Sequence, residues 1–260
     1  VVIKIMMKSS LPILVIDIGN TSTTLGVFDQ NDVHRVQRIE KVDQDIESIG
    51  SVMLKSAGKR GISGICIASV VPLFNSMWTT ACKKSFGMEP VFISHKLKLG
   101  ISVTYPKPET IGADRLANAV GGVEKYGAPV IIGDFGTAVT FDVVTKKEGY
   151  IGGIIAPGPP LMFDYLAERT AQLPRITWKP VKHAIGKSTA EAMQLGAHWG
   201  YRGLFKEILR ELMKNAALRN ATVIATGGFA SRMLEGMKPQ PIIDPHLTLY
   251  GIGCIYANNI

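Results

Sequence analysis

An α/β chain made of two similar halves is the fold class that this 260-residue sequence predicts. Three observations predict it. Hydrophobic residues make up 46% and charged residues 19%, the balance of a globular chain rather than a disordered one. After an opening group of strands, short apolar runs of strand length alternate with segments of helical spacing. One strand–turn–strand pattern, with an aspartate where the first strand ends, also occurs twice.

The first copy is the stretch from Asp17 to Gly26. An apolar run, Leu11 to Ile16, precedes it, and a second, Leu25 to Phe28, closes it. Strand, polar turn, strand reads as a hairpin. Gly19 has no Cβ, so a ligand can approach the backbone there. The turn's N–H groups and the hydroxyls of Thr21, Ser22, Thr23 and Thr24 can donate to phosphate oxygens. Asp17 stands at the strand end, placed to hold a metal ion directly or through water. Alone, the pattern Asp-x-Gly-x-Thr fits an ordinary hairpin equally well. The second copy, Pro129 to Asp142, repeats the plan with Asp134, Gly136 and Thr137. Two such hairpins suggest duplicated halves that close on one nucleotide.

The remaining elements follow in order. Val33 to Ile39 reads as a third strand and Asp43 to Ala57 as a helix ending near Gly58. Ile62 to Val71 is a buried strand stopped by Pro72, Leu73 to Phe86 a helix stopped by Gly87, and Glu89 to Ile93 a short strand. Gly100 to Pro108 is irregular. It leads through Gly112 and Ala113 to a helix whose first turn holds Asp114 and Arg115, where the helix dipole favours a carboxylate as the anion. In the second half, Gly149 to Ile155 continues the sheet. Helices are expected from Leu161 to Gln172 and from Ala190 to about Lys214. Gly186-Lys187-Ser188-Thr189 looks like the end of a phosphate-binding P-loop. However, Val181 holds the place of the required first glycine and no plain strand precedes, so that reading is rejected. Ala221 to Ala225 is a strand. Thr226-Gly227-Gly228 turns tightly after it and can take a flat ligand, with adenosine the natural candidate; a simple strand-to-helix turn fits as well. Leu247 to Tyr256 closes the chain as a helix.

The net charge of +8 suits polyanionic ligands, but Lys and Arg are spread along the chain, which makes nucleic acid the weaker partner. Three widely spaced cysteines without a Cys-x-x-Cys pair suggest buried thiols in a reducing compartment rather than a zinc site or a disulfide framework. No apolar run is long enough to span a bilayer. A cytoplasmic protein with a short extra N-terminal tail is expected.

Taken together, the ordered motifs resemble those of the type III pantothenate kinases. They are Asp17-x-Gly19-Asn20-Thr21, Gly112-Ala113-Asp114-Arg115, Asp134-x-Gly136-Thr137-Ala138, Gly152-Gly153-x-Ile155-x-Pro157-Gly158, Gly186-Lys187-Ser188-Thr189 with Ala192-Met193-Gln194, and Thr226-Gly227-Gly228. The resemblance runs from about Leu11 onward. It implies two ribonuclease-H-like domains of the actin-like ATPase fold with a cleft between them, expected at residues 1–123 and 124–260. It implies transfer of the γ-phosphoryl of ATP to the primary hydroxyl of pantothenate, the first step of coenzyme A synthesis. It also implies a homodimer that uses Mg²⁺ with ATP and a monovalent cation, K⁺ or NH₄⁺.

Carried onto this sequence, the resemblance makes Asp114 the general base. Asp17, Ile18, Gly19, Asn20, Thr21, Ser22, Thr23 and Thr24 would hold ATP, with Asp17 orienting Mg²⁺. Thr137, Thr226, Gly227 and Gly228 would also bind ATP, and Asp134 the monovalent cation. Tyr105, Gly112, Ala113, Asp114, Arg115 and Thr189 would line the pantothenate site. The bulky stretch Pro159 to Phe163 departs from the family pattern, without touching a catalytic assignment. Two alternatives stand beside this reading. One is a kinase or ATPase of the same superfamily with another acceptor. The other is a regulatory, nucleic-acid-binding relative, supported only by the charge.

Overall fold

The computed structural model describes residues 12–40 and 45–260. The N-terminal tail, Leu11, and Asp43 and Gln44 at the expected start of the first helix lie outside the described residues. The chain forms two compact units. The first comprises the described residues up to 128 with 147–151 and 246–260, and the second residues 129–146 and 152–245.

The first unit is built on a five-stranded mixed sheet. Its strands are β1 (Ile13–Ile18), β2 (Ser22–Asp29), β3 (Asp32–Glu40), β4 (Gly64–Ser69) and β5 (Val91–Phe92), in the order β3-β2-β1-β4-β5. β1 pairs antiparallel with β2 and parallel with β4, so it is central. A central strand is covered on both faces, which is why it reads as a continuous apolar run. Two buried clusters result. Ile13, Val15 and Cys66 point to one face, and Leu14, Ile16, Ile65 and Ile67 to the other.

Helices α1 (Ile46–Ala57) and α2 (Pro72–Phe86) pack on the second of these faces. Asp45 caps α1, its carboxylate accepting from the N–H groups of Glu47 and Ser48. Helices α3 (Ala113–Tyr126) and α7 (Leu247–Ala257) cover the other face. They meet at glycines. A Cβ on Gly251 would lie 1.8 Å from the Ala117 carbonyl oxygen, and one on Gly121 2.7 Å from that of Leu247. The Thr248 hydroxyl donates to the buried Asn118 side chain at 2.7 Å, which pins the register of this crossing.

The second unit repeats the plan. Its sheet comprises β6 (Val130–Phe135), β7 (Ala138–Thr145), β8 (Gly149–Pro157, whose first residues, 149–151, belong to the first unit), β9 (Thr222–Thr226) and β10 (Ile242–Ile243), in the order β10-β9-β6-β7-β8. Read from β8, that is the order of the first sheet, strand for strand. β6 pairs antiparallel with β7 and parallel with β9, as β1 does with β2 and β4. Even the burial matches: in both β1 and β6 only the fifth residue, Asp17 or Asp134, is partly exposed. The duplication expected from the two hairpins is therefore present in the backbone. Helices α4 (Pro159–Arg169), α5 (Thr189–Leu212) and α6 (Ala230–Leu234) complete this unit. The three cysteines are buried free thiols. Among the described residues no helix is long and apolar enough to cross a membrane.

Candidate active site

In the first unit the site is built at the end of the parallel pair β1–β4. The turn after β1 is closed by the Gly19 N–H donating to the Ser22 carbonyl at 3.1 Å. A Cβ on Gly19 would stand only 3.0 Å from that oxygen, so the tight turn favours glycine. Asn20 and Thr21 are exposed, and Ser22 and Thr24 half-buried. Ile18 and Thr23 are fully buried, so backbone is what they can offer a ligand. Asp17 sits opposite Thr24 on β2 and Ala68 on β4.

The start of α3 lies near the same strand end. The Val70 N–H donates to the Ile18 carbonyl at 3.1 Å, and the Val70 side chain lies 3.5 Å from where a Cβ on Gly112 would be. That Cβ would also come within 2.4 Å of Asp114 Oδ1. Gly112 thus leaves room for the Asp114 carboxylate to fold back over the helix start, where Oδ1 accepts from the Arg115 N–H at 2.8 Å. Burial pushes the Asp114 carboxyl above its ordinary value; that N–H and the Arg115 charge pull it partly back. A carboxylate raised in this way is a better proton acceptor than an exposed one. Ala113 is buried, and Tyr105 is half-buried in the segment that leads to α3.

In the second unit Asp134 is paired in register with Thr226 across β6–β9. Gly227 follows with φ +90°, where a Cβ would lie 2.4 Å from Asp134 Oδ1 and 2.6 Å from the Phe135 nitrogen. Only glycine lets this turn close on β6. Thr226 is 1% exposed, and its hydroxyl has no hydrogen-bond partner among the described residues. A buried hydroxyl beside a carboxylate is an oxygen set suited to a hard cation or a polar ligand. Thr137 is half-buried, and its carbonyl is taken by the Gly158 N–H at 2.9 Å.

Thr189 is the first residue of α5 and is exposed. Its helix start is fixed by Ser188 accepting from the Glu191 N–H at 3.2 Å and by Glu191 accepting from the Lys187 N–H at 2.7 Å. No strand precedes Gly186, in agreement with the rejection of a P-loop.

Some contributors were not assigned a role from the sequence. Gly121, Gly251 and Asn118 fix α3, and the Gln194 side chain bonds both the Lys179 N–H and the Thr177 carbonyl. Paired glycines inside helical patterns were the available signal for the first two. Among the described residues no group of three or more His, Cys, Asp or Glu could hold a metal ion. Mg²⁺ arriving with a nucleotide needs only one or two carboxylates beside the phosphates, so Asp17 fits that role.

A family model for type III pantothenate kinase matches residues 13–211. A type III pantothenate kinase from Bacillus cytotoxicus is 37% identical over 253 residues, which is 95% of this chain and 96% of the relative. The chain belongs to the type III pantothenate kinase family. The family match includes the Asp17 and Asp134 hairpins, the Gly112–Arg115 turn and Thr189; Thr226, Gly227 and Gly228 lie beyond it.

Solved structures show the same fold at lower identity. A Campylobacter jejuni protein described as a Baf family transcriptional activator aligns with TM-score 0.59 at 18% identity, covering 93% of this chain and 96% of that one. The activator of 2-hydroxyisocaproyl-CoA dehydratase from Clostridium difficile, solved with ADPNP bound, aligns with TM-score 0.53 at 12% identity, covering 95% and 94%. This pantothenate kinase family member therefore has the expected α/β fold of two ribonuclease-H-like domains.

Proposed function

We propose that this chain transfers the γ-phosphoryl group of ATP to the primary hydroxyl of pantothenate, with Asp114 as general base. Membership of the kinase family supports the reaction. The observation that carries the assignment of the base is the Asp114 carboxyl, folded over the start of α3 and raised by burial. In the step, the pantothenate hydroxyl oxygen bonds to the γ-phosphorus and the bond from that phosphorus to the bridging oxygen breaks. ADP leaves, and the hydroxyl proton passes to the Asp114 carboxylate. In a loose transition state positioning and charge neutralisation do most of the work, and a carboxylate suffices to take a late proton.

The hairpin from Asp17 to Thr24 holds the ATP phosphates through its backbone and through Thr21, Ser22 and Thr24. Mg²⁺, when bound with ATP, neutralises phosphate charge, and Asp17 would hold it directly or through water. Asp134 would take the monovalent cation, K⁺ or NH₄⁺, with the neighbouring Thr226 hydroxyl as an unused oxygen donor. Thr137 and the turn Thr226 to Gly228 serve ATP. Tyr105, Gly112, Ala113, Arg115 and Thr189 receive pantothenate. The active form is a cytoplasmic homodimer. Apolar side chains exposed in the second unit, Ile155, Leu161, Tyr165 and Trp199, give a second copy a surface to cover. The test is phosphopantothenate formation by the purified protein, lost in Asp114→Asn.

A further inference from the structure

We infer that Tyr150 is a positioning residue for the acceptor site, holding the 100–105 segment so that Tyr105 is set in place. The inference rests on the proposed placing of Tyr105 against pantothenate.

The segment from Gly100 to Tyr105 contains no helix and only an isolated bridge, Val103 with Tyr150. Its backbone is tied to Tyr150. The Tyr150 N–H donates to the Ser102 carbonyl at 2.8 Å, and the Thr104 N–H donates to the Tyr150 carbonyl at 3.0 Å. Gly149, immediately before, has φ +71°, and a Cβ there would stand 2.0 Å from the Ser102 oxygen. Glycine is what lets the two backbones come this close.

The side chains continue the clamp. Tyr105 meets Tyr150 edge-on, with ring centroids 6.2 Å apart and planes at 71°. Tyr150 is 1% exposed and so is held by its surroundings, whereas Tyr105 is half-buried and keeps a free side. A rigid ring behind a partly exposed one removes rotamers that a ligand would otherwise have to freeze out.

Asp114 does not depend on this clamp. It is carried by α3, which is fixed against α7 at Gly121, Gly251 and the Asn118–Thr248 hydrogen bond. Loosening the 100–105 segment therefore weakens pantothenate binding and leaves the chemical step intact. That combination separates positioning from general destabilisation.

The experiment is steady-state kinetics of Tyr150→Leu, Tyr150→Met, Tyr150→Phe, Tyr105→Ala and the double variant Tyr105→Ala/Tyr150→Leu, each checked for folding by thermal melt. Leu and Met both keep apolar bulk without a ring, so one serves if the other fails to fold. The expected result is a rise in pantothenate KM of about two- to tenfold for Leu and Met, with kcat and the ATP KM within about twofold of the parent. Phe keeps the ring and restores the parent KM, and the double variant is no worse than Tyr105→Ala alone. A fall in kcat at unchanged pantothenate KM, an equal rise for both substrates, failure of Phe to restore KM, or additive effects in the double variant overturns the inference. If Tyr105→Ala raises the pantothenate KM and neither Tyr150→Leu nor Tyr150→Met does, the inference fails and the placing of Tyr105 stands. If Tyr105→Ala leaves that KM unchanged, both fall.

Discussion

Replacing Gly251 by alanine tests whether the crossing of α3 and α7 supports the proposed base, Asp114. The new Cβ would lie 1.8 Å from the Ala117 carbonyl oxygen and 2.7 Å from its carbon. That is about 1.5 Å short of ordinary contact, and both offending atoms are backbone, so the helices must part. Overpacking of this kind costs about 3 kcal/mol, the upper end of its usual range, because no side chain can swing aside. Alanine recovers roughly 1 kcal/mol through its helix propensity. The net loss is about 2 kcal/mol, a fall in melting temperature of roughly 4–8 °C for a chain of this size. Gly203 in α5 is the control, since nothing lies within 4 Å of a Cβ built there. Gly203→Ala gains about 0.5–1 kcal/mol by reducing unfolded-state entropy. Urea and thermal unfolding of both variants give the signs. Gly251→Ala also lowers kcat, because α3 carries Asp114. A Gly251→Ala variant as stable as the parent, or stabilised like Gly203→Ala, refutes the close crossing.

Other expectations concern the site itself. Asp114→Asn lowers kcat about 10²–10⁴-fold, yet makes the protein more stable at neutral pH. Burial holds the folded carboxyl above its ordinary 3.8, so the ionised form opposes folding. That penalty is absent below the ordinary value and grows as pH rises through the raised one, so the stability gap between Asn and parent opens over that window and closes in acid. By the same sign, kcat/KM falls on acidification with a midpoint above 3.8, read from a pH–rate profile. Gly227→Ala sets a Cβ 2.4 Å from Asp134 Oδ1 in a left-handed conformation, so the turn shifts and the ATP KM rises about tenfold or more, measured at saturating pantothenate. Asp134→Asn abolishes the difference in rate between K⁺ and Na⁺ buffers; a variant that still prefers K⁺ contradicts the cation assignment.

Much of the fold was legible because its central strands are buried on both faces. Ile13 to Ile18 and Val130 to Phe135 are nearly unbroken apolar runs, and each is interrupted only by one aspartate, Asp17 or Asp134. Helix starts were less legible. α4 begins at Pro159 rather than Leu161, since proline is tolerated in a first helical turn and there marks entry rather than exit. β9 runs Thr222–Thr226, one residue later than its apolar stretch suggested, because pairing with β6 carries Thr226 into the ladder. The two-residue strands β5 and β10 owe their form to neighbouring strands, not to local pattern. At the site, residue types announced the hairpins and the Gly112–Arg115 turn. Packing decided what they could not show: Ile18 and Thr23 turn inward, Gly227 closes on Asp134, and Tyr150 holds a segment some 45 residues earlier in the chain. Such contacts are non-local, and no periodicity within one segment encodes them.

The most direct measurement is a coupled assay of ADP release by the purified protein with ATP and Mg²⁺, with and without pantothenate, beside Asp114→Asn. ADP is expected only when pantothenate is present, at a rate that is higher in K⁺ than in Na⁺ and lost in the variant. ADP formed equally without pantothenate, or undiminished in Asp114→Asn, would overturn the assignment of substrate or base.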